Sequence, residues 1–303
     1  MSPKRGREDG SKEGKPQHRR SKEEVAHPRK RFYRARAHCN PLNVTDFDVP
    51  TRPEEFDWSE HFPDFLSEWR DRQQPQQQQQ QQQGDEAGEA AGSSSSEAPV
   101  VRFVDIGCGF GGLLVKLSTI YPDTLMLGME IRDKVSAYVR ERIAALRREH
   151  PGSYRNASVL RTNAMKYLPN YFKKGQLTKM FFLFPDPHFK AANHRRRIIN
   201  THLLTEYAHL LAPGGWLYTI SDVPELGEWM KAKLDAHPLF ERVSEEELEK
   251  DPAAGLLATS SEEGQKVARN GGATFRNVYR RLPALRVLAS PVAAEAVKSE
   301  ATV

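Results

Sequence analysis

Four glycines within six positions, Gly107, Gly109, Gly111 and Gly112, follow an acid at Asp105 in the stretch VVRFVDIGCGFGG, Val100 to Gly112. Glycine permits a tight turn, and a backbone without Cβ lets a ligand come close. The run before the loop is β-branched and aromatic, the composition of a buried parallel strand. Leu113 to Ile120 reads as a helix. The loop is therefore a strand-to-helix junction with free N–H groups facing outward. A dinucleotide fingerprint has the order G-x-G-x-x-G, with the pyrophosphate resting on the helix start. Here the order is Gly107-Cys108-Gly109-Phe110-Gly111-Gly112, and Asp105 would repel a pyrophosphate. The same acid suits a cationic ligand end, such as the ammonium and sulfonium of S-adenosylmethionine. A methyl-donor site is the first expectation, a dinucleotide site the second, and a turn without ligand the third.

Further polar residues fall where strands should end. Glu130 closes a second apolar run about 21 residues after Gly109, where an acid can accept hydrogen bonds from both hydroxyls of a ribose. That identifies a nucleoside without saying which. Asn163 follows a third run, and its amide either pairs with an adenine edge or forms a turn. In FFLFPDPHFK, Pro185 and Pro187 bracket Asp186 rigidly at the end of a fourth run. The acid is either part of a pocket for a target base or simple turn punctuation. His188, Lys190, His194, Arg195, Arg196 and Arg197 follow at once. This basic run suits RNA phosphates, or else it is the solvated start of a helix.

The elements that must hold these residues alternate. Thr124 to Ile131 is a strand, and Arg132 to Arg148 is an amphipathic helix with Val135, Tyr138, Val139, Ile143 and Leu146 on one face. Strands follow at Ala157 to Leu160, Lys179 to Phe184 and Trp216 to Ser221, with a late one at Phe275 to Arg281. Helices occupy Arg197 to Leu211, closed by Pro213-Gly214-Gly215, and Val223 to Ala236. Repeated βα units imply an α/β fold, a doubly wound and mostly parallel sheet with ligands at the carboxyl ends of its strands. Upstream, Trp58, Phe62, Phe65 and Trp69 recur at helical spacing after a cap at Asp57, predicting a short helix packed on the body.

Charged residues make up 28% and hydrophobic ones 38% of the 303 residues, which fits a globular domain with polar extensions. No apolar run approaches bilayer length. Two cysteines, Cys39 and Cys108, leave no disulfide framework and no cysteine zinc site, and no metal is expected. Residues 1–36 hold thirteen Lys and Arg against five Asp and Glu. That basic arm points to a polyanionic partner or a nuclear-import signal, or it merely solubilises. Its end, RKRFYRARAHCNPL, interleaves Phe32 and Tyr33 with cations. This suits RNA contact, or equally a pair of rings docking the arm. The expected divisions are a disordered basic arm (1–31), an extension packing on the core (32–72), a low-complexity Gln- and Ser-rich insert (73–98), a catalytic domain (99–283) and a disordered tail (284–303).

Seven segments, RAHCNPL, DWSEHFPDF, DIGCGFGGLL, PDTLMLGMEIR, GQLTKMFFLFPDPHFK, HPLFERV and TSSEEGQKV, resemble the tRNA (guanine-N(7)-)-methyltransferase family in its eukaryotic form. They spread from about residue 32 to 282. The resemblance implies a Rossmann-like class I methyltransferase with S-adenosylmethionine as donor. It places the donor on Gly107, Glu130, Arg132, Asn163, Ala164, Leu183, Ser261 and Glu263, with Asp186 as the active-site acid. The basic run supplies the expected tRNA contacts, His188, Lys190, Arg195 and Arg196, and the resemblance implies a target in the tRNA variable loop and a non-catalytic WD-repeat β-propeller partner. With the basic arm, it favours the nucleus. A cap methyltransferase, and a scaffold that keeps the fold without catalysis, remain the competing readings.

Overall fold

The computed structural model describes residues 25–36, 39–43, 47–72 and 98–283. The expectations for the arm before residue 25, the insert at 73–97 and the tail at 284–303 fall outside these residues. A seven-stranded sheet carries the fold: β1 (Phe103–Ile106), β2 (Met126–Glu130), β3 (Ala157–Arg161), β4 (Leu177–Leu183), β5 (Leu211–Ser221), β6 (Phe240–Arg242) and β7 (Phe275–Arg281). Its order is β3-β2-β1-β4-β5-β7-β6. The first five strands are parallel, and β7 runs antiparallel between β5 and β6. Strand order reverses between β1 and β4, so the loops leaving those strands diverge and open a crevice at their carboxyl ends.

Register makes that edge specific. Ile106 lies opposite both Met129 and Phe182. One step onward, Gly107, Glu130 and Leu183 therefore form a row at the mouth of the crevice. β1 and β2 are buried along their whole length, as central parallel strands must be.

Helices cover both faces. α2 (Gly112–Ile120) and α3 (Asp133–Glu149) pack Leu113, Leu114, Tyr138, Val139 and Ile143 on Phe103, Met126, Val159 and Phe181. On the other face α4 (Ala164–Tyr171), α5 (Thr201–Leu210) and α6 (Pro224–Asp235) cover Val104, Leu127, Met180 and Phe182. Side chains alternate along a strand, so Asp105 and Glu130 share the α2–α3 side with Phe103 and Met126. Among the described residues no helix is long and apolar enough to cross a membrane.

Several elements depart from expectation for identifiable reasons. The upstream helix is broken in two: Asp57 caps a 3-10 turn, Trp58–Glu60, accepting from the Ser59 N–H at 2.8 Å. Helix α1 then runs over 63–72. Pro63 forces the break, because it restricts Phe62 and suits the first turn of a new helix. The helix expected from Arg197 begins only at Thr201, after Asn200 accepts from the Leu203 N–H at 3.0 Å. β5 starts at Leu211 and runs through Pro213-Gly214-Gly215, and the pairing with β4 shifts register between Leu177 and Lys179. Short elements absent from the sequence reading are α4, β6, α7 (Glu245–Glu249), α8 (Pro252–Leu256) and α9 (Glu262–Arg269).

The extension belongs to the core. Phe62 is fully buried, and Trp58 stacks on Phe172 with centroids 6.0 Å apart. Phe62→Ala therefore costs the whole domain about 3–5 kcal/mol. Denaturant unfolding checks this, and an unchanged midpoint would make the extension a detachable appendage.

Candidate active site

Three of the loop glycines adopt left-handed backbone: φ is +70° at Gly107, +53° at Gly109 and +72° at Gly111. Side-chain-bearing residues rarely adopt it. Gly112 answers a different need, since a Cβ there would overlap the Ser260 carbonyl oxygen. At Gly264 a Cβ would meet the Ala258 carbonyl and the Phe184 ring. The segment around residues 258–264 thus lies against both the glycine loop and the start of the FPDPH loop. Ser261 and Glu263 belong to this segment. The Ser261 hydroxyl caps α9, accepting from the Gly264 N–H at 3.0 Å, and Glu263 is exposed.

Glu130 is 2% exposed yet surrounded by donors. Its oxygens accept from the Gly109 N–H at 3.2 Å, the Arg132 N–H at 2.9 Å, and the Arg132 guanidinium at 2.9 and 2.8 Å. The hydrogen bond to Glu130 is the main reason the Arg132 guanidinium is held above its ordinary pKa, and the charge of Asp186 adds to it. Asp186 therefore lies within electrostatic reach of the cation that Glu130 holds. Asp105 is 4% exposed on the same face. Burial, reinforced by the charge of Glu130, pushes its pKa up to about 7.

The loop after β4 carries strain on either side of its acid. Phe184 and His188 have φ of +49° and +44°, each costing on the order of 1–3 kcal/mol. Arg197 holds the loop. It is 1% exposed, donates from Nε to the Pro187 carbonyl at 2.9 Å and from Nη2 to Glu225 at 2.8 Å, and lies over the Trp229 ring. This corrects its place in the basic run: a guanidinium so enclosed does not reach phosphate. His194, half-buried against Trp229 and Glu225, is likewise turned inward. Lys190 and Arg195 stay exposed, whereas His188 and Arg196 are half-buried. No sequence signal separates Arg197 from its neighbours.

Asn163 is 3% exposed, with both ends of its amide engaged: Oδ1 accepts from the Met165 N–H at 3.1 Å and Nδ2 donates to the Pro41 carbonyl at 2.6 Å. Ala164 opens α4 beside it, and Leu183 ends β4. The two rings of the arm part company. Tyr33 meets Tyr138 edge-on, centroids 5.5 Å apart, and donates to Glu141, while Phe32 is 67% exposed. Lys30 pairs with Glu262 and sits over Phe110. Among the described residues no cluster of three or more His, Cys, Asp or Glu is placed to hold a metal ion. A separate cavity of about 860 Å³ lies between the extension and α3, lined by Phe56, His61, Arg140, Arg147 and Arg161, and none of the site residues lines it.

Comparison with known proteins decides among the readings. A family model described as "Putative methyltransferase" matches residues 99–277. The tRNA (guanine-N(7)-)-methyltransferase of Oryza sativa subsp. indica is 58% identical over 257 residues, covering 84% of this chain and 92% of that protein. The chain belongs to the tRNA (guanine-N(7)-)-methyltransferase family. The Homo sapiens tRNA (guanine-N(7)-)-methyltransferase is 51% identical, covering 88% of this chain and 94% of its own length. The crystal structure of the 16S rRNA methyltransferase KamB covers 65% of this chain and 97% of its own at a TM-score of 0.42 and 17% identity.

The buried Asp105 suits a methyltransferase whose donor ends in cations, and its pKa of about 7 has a sign that can be measured. The folded state keeps this proton while the unfolded chain has lost it, so stability falls as pH rises from about 4 to 7. Asp105→Asn flattens that slope and gains up to about 4 kcal/mol at pH 8. The same substitution weakens donor affinity at least tenfold. Denaturant unfolding at pH 5 and pH 8, with donor titration alongside, checks both.

Proposed function

We propose that this chain transfers a methyl group from S-adenosylmethionine to nitrogen 7 of a guanine in tRNA. The observation that carries the reading is the row of Gly107, Glu130 and Leu183 at the strand-order reversal, with Asp186 next to it in a proline-bracketed turn. When bound, S-adenosylmethionine supplies a sulfonium methyl, an electrophile that needs no metal.

The protein's part is alignment and charge. Glu130 offers its carboxyl group to the ribose hydroxyls, with Arg132 and the Gly109 N–H orienting it. Asp105 favours the cationic end of the donor, and Gly107 keeps the backbone close. Leu183, Ala164 and the Asn163 backbone line the middle of the site, while Ser261 and Glu263 approach from above. Nitrogen 7 of guanine is a lone pair in the major groove and carries no proton at neutral pH. No general base is required. Holding nucleophile and methyl in line is worth roughly 7–11 kcal/mol. Asp186 orients the guanine through its N–H edge and favours the ring that becomes cationic. His188, Lys190, Arg195 and Arg196 contact the tRNA backbone.

We place the target in the variable loop, the partner as a WD-repeat β-propeller subunit and the location in the nucleus. Support for these comes from the family resemblance and, for the nucleus, the basic arm. Mapping 7-methylguanosine in tRNA from cells lacking the protein tests the reaction, and an unchanged map overturns it. Asp186→Asn lowers kcat by about 100-fold or more while leaving donor affinity near wild type. Full turnover would remove the assigned role. Reversing the charge of Arg195 and Arg196 together weakens tRNA binding and flattens its dependence on salt, read from binding isotherms at several ionic strengths.

A further inference from the structure

The described residues expose four large hydrophobic side chains, and Phe189 at 66% is almost as bare as any of them. A single exposed apolar residue is ordinary. The backbone that presents Phe189 is not. Its neighbour His188 is held at φ +44°, and the turn before it is fixed by two prolines. The Pro187 carbonyl is gripped by Arg197, which is itself buried against Trp229 and paired with Glu225. A loop free to relax would release the strain at His188 and lay the phenyl ring on the protein. This loop is anchored from beneath, so the ring stays in water.

The surroundings of Phe189 state what it can meet. Asp186 is three residues before it, and Lys190 and Arg195 are exposed just after it. An exposed ring on a fixed turn, with exposed cations following it in the chain, is the combination that holds an unpaired nucleotide: the π face takes a base, and the cations take phosphates. Nitrogen 7 chemistry on a folded RNA also needs such a support, because a base drawn toward Asp186 leaves its neighbour with one face unstacked.

We propose that Phe189 is a stacking platform for a base adjacent to the target guanine. This rests on the tRNA reading above and adds to it a contact that selects RNA by its exposed base faces. A ring that stacks on RNA makes three substitutions behave differently. Phe189→Ala and Phe189→Leu both raise the KM for tRNA about tenfold or more, the scale of losing one base–aromatic stack. Phe189→Trp keeps it at or below wild type. Thermal unfolding and donor affinity stay unchanged in all three, because the ring is largely in solvent. The salt dependence of tRNA binding keeps its slope in Phe189→Ala, since no phosphate contact is lost.

The decisive experiment measures tRNA methylation kinetics for wild type and the three variants, with 2-aminopurine placed next to the target guanine. Stacking quenches that fluorophore in wild type and in Phe189→Trp, and the quench is lost in Phe189→Ala. If wild type methylates tRNA and Phe189→Leu matches it in KM and quench, the ring acts as mere bulk and the proposal is overturned. If wild type methylates tRNA but Phe189→Ala instead loses affinity for a protein subunit with its tRNA KM intact, the ring is a protein contact and the proposal is again overturned. If wild type does not methylate tRNA at all, the tRNA reading itself fails.

Discussion

Asp105 and Glu130 stand on adjacent strands, both almost wholly out of water, where the chain turns out of the sheet. Leaving two carboxylates in such a place is costly unless donors or a neutralising proton answer them. Here the two find different answers. Glu130 collects two backbone N–H groups and a guanidinium. Asp105 has burial working against its charge, and so sits near the protonation boundary of neutral water. The glycine loop takes its shape from this constraint, since it must fold back far enough for the Gly109 N–H to reach Glu130. Gly128 is part of the same accommodation, because a Cβ there would press on Cys108 Sγ.

The second half of the site is built by tension rather than by packing. β4 ends in a turn with two non-glycine residues in the left-handed region. Such a turn persists only if something outside it removes the alternatives. Arg197 does so from the far face of the sheet, tying the turn to α6 through Glu225 and Trp229. A buried arginine paired to a half-exposed carboxylate adds little to stability. Its value here is geometric, fixing where Asp186 and Phe189 point.

Much of the site was legible because parallel sheets turn spacing into position. Once β1 and β2 are recognised, register places Gly107 beside Glu130, and the glycine pattern requires their loop to bend over the strand ends. Arg197 was illegible for the opposite reason. Whether a cation is solvated or enclosed depends on partners 10 to 32 residues away, and in the sequence it is one of several bases in a row. Asn163 reads as an adenine contact or, more commonly, a turn former until Met165 and Pro41 are seen around it. The short elements α7, α8 and β6 lack the length for a periodic signal. Only the caps of the two helices, such as Ser244 with Glu247, leave a mark. Pro63 was a readable breaker whose effect was hidden by the regular spacing of the aromatics around it.

The last strand, β7, lies inside the sheet rather than at its edge, between β5 and β6. While the polypeptide is still emerging from the ribosome, β6 has no neighbour to pair with, and β5 has an open flank. The segment that abuts Gly112 is made just before that strand as well. Synthesis must therefore run to Arg281 before the sheet is complete on that side. A product released before that strand would carry the glycine loop and the acid on an unfinished sheet, with β5 unpaired along one side.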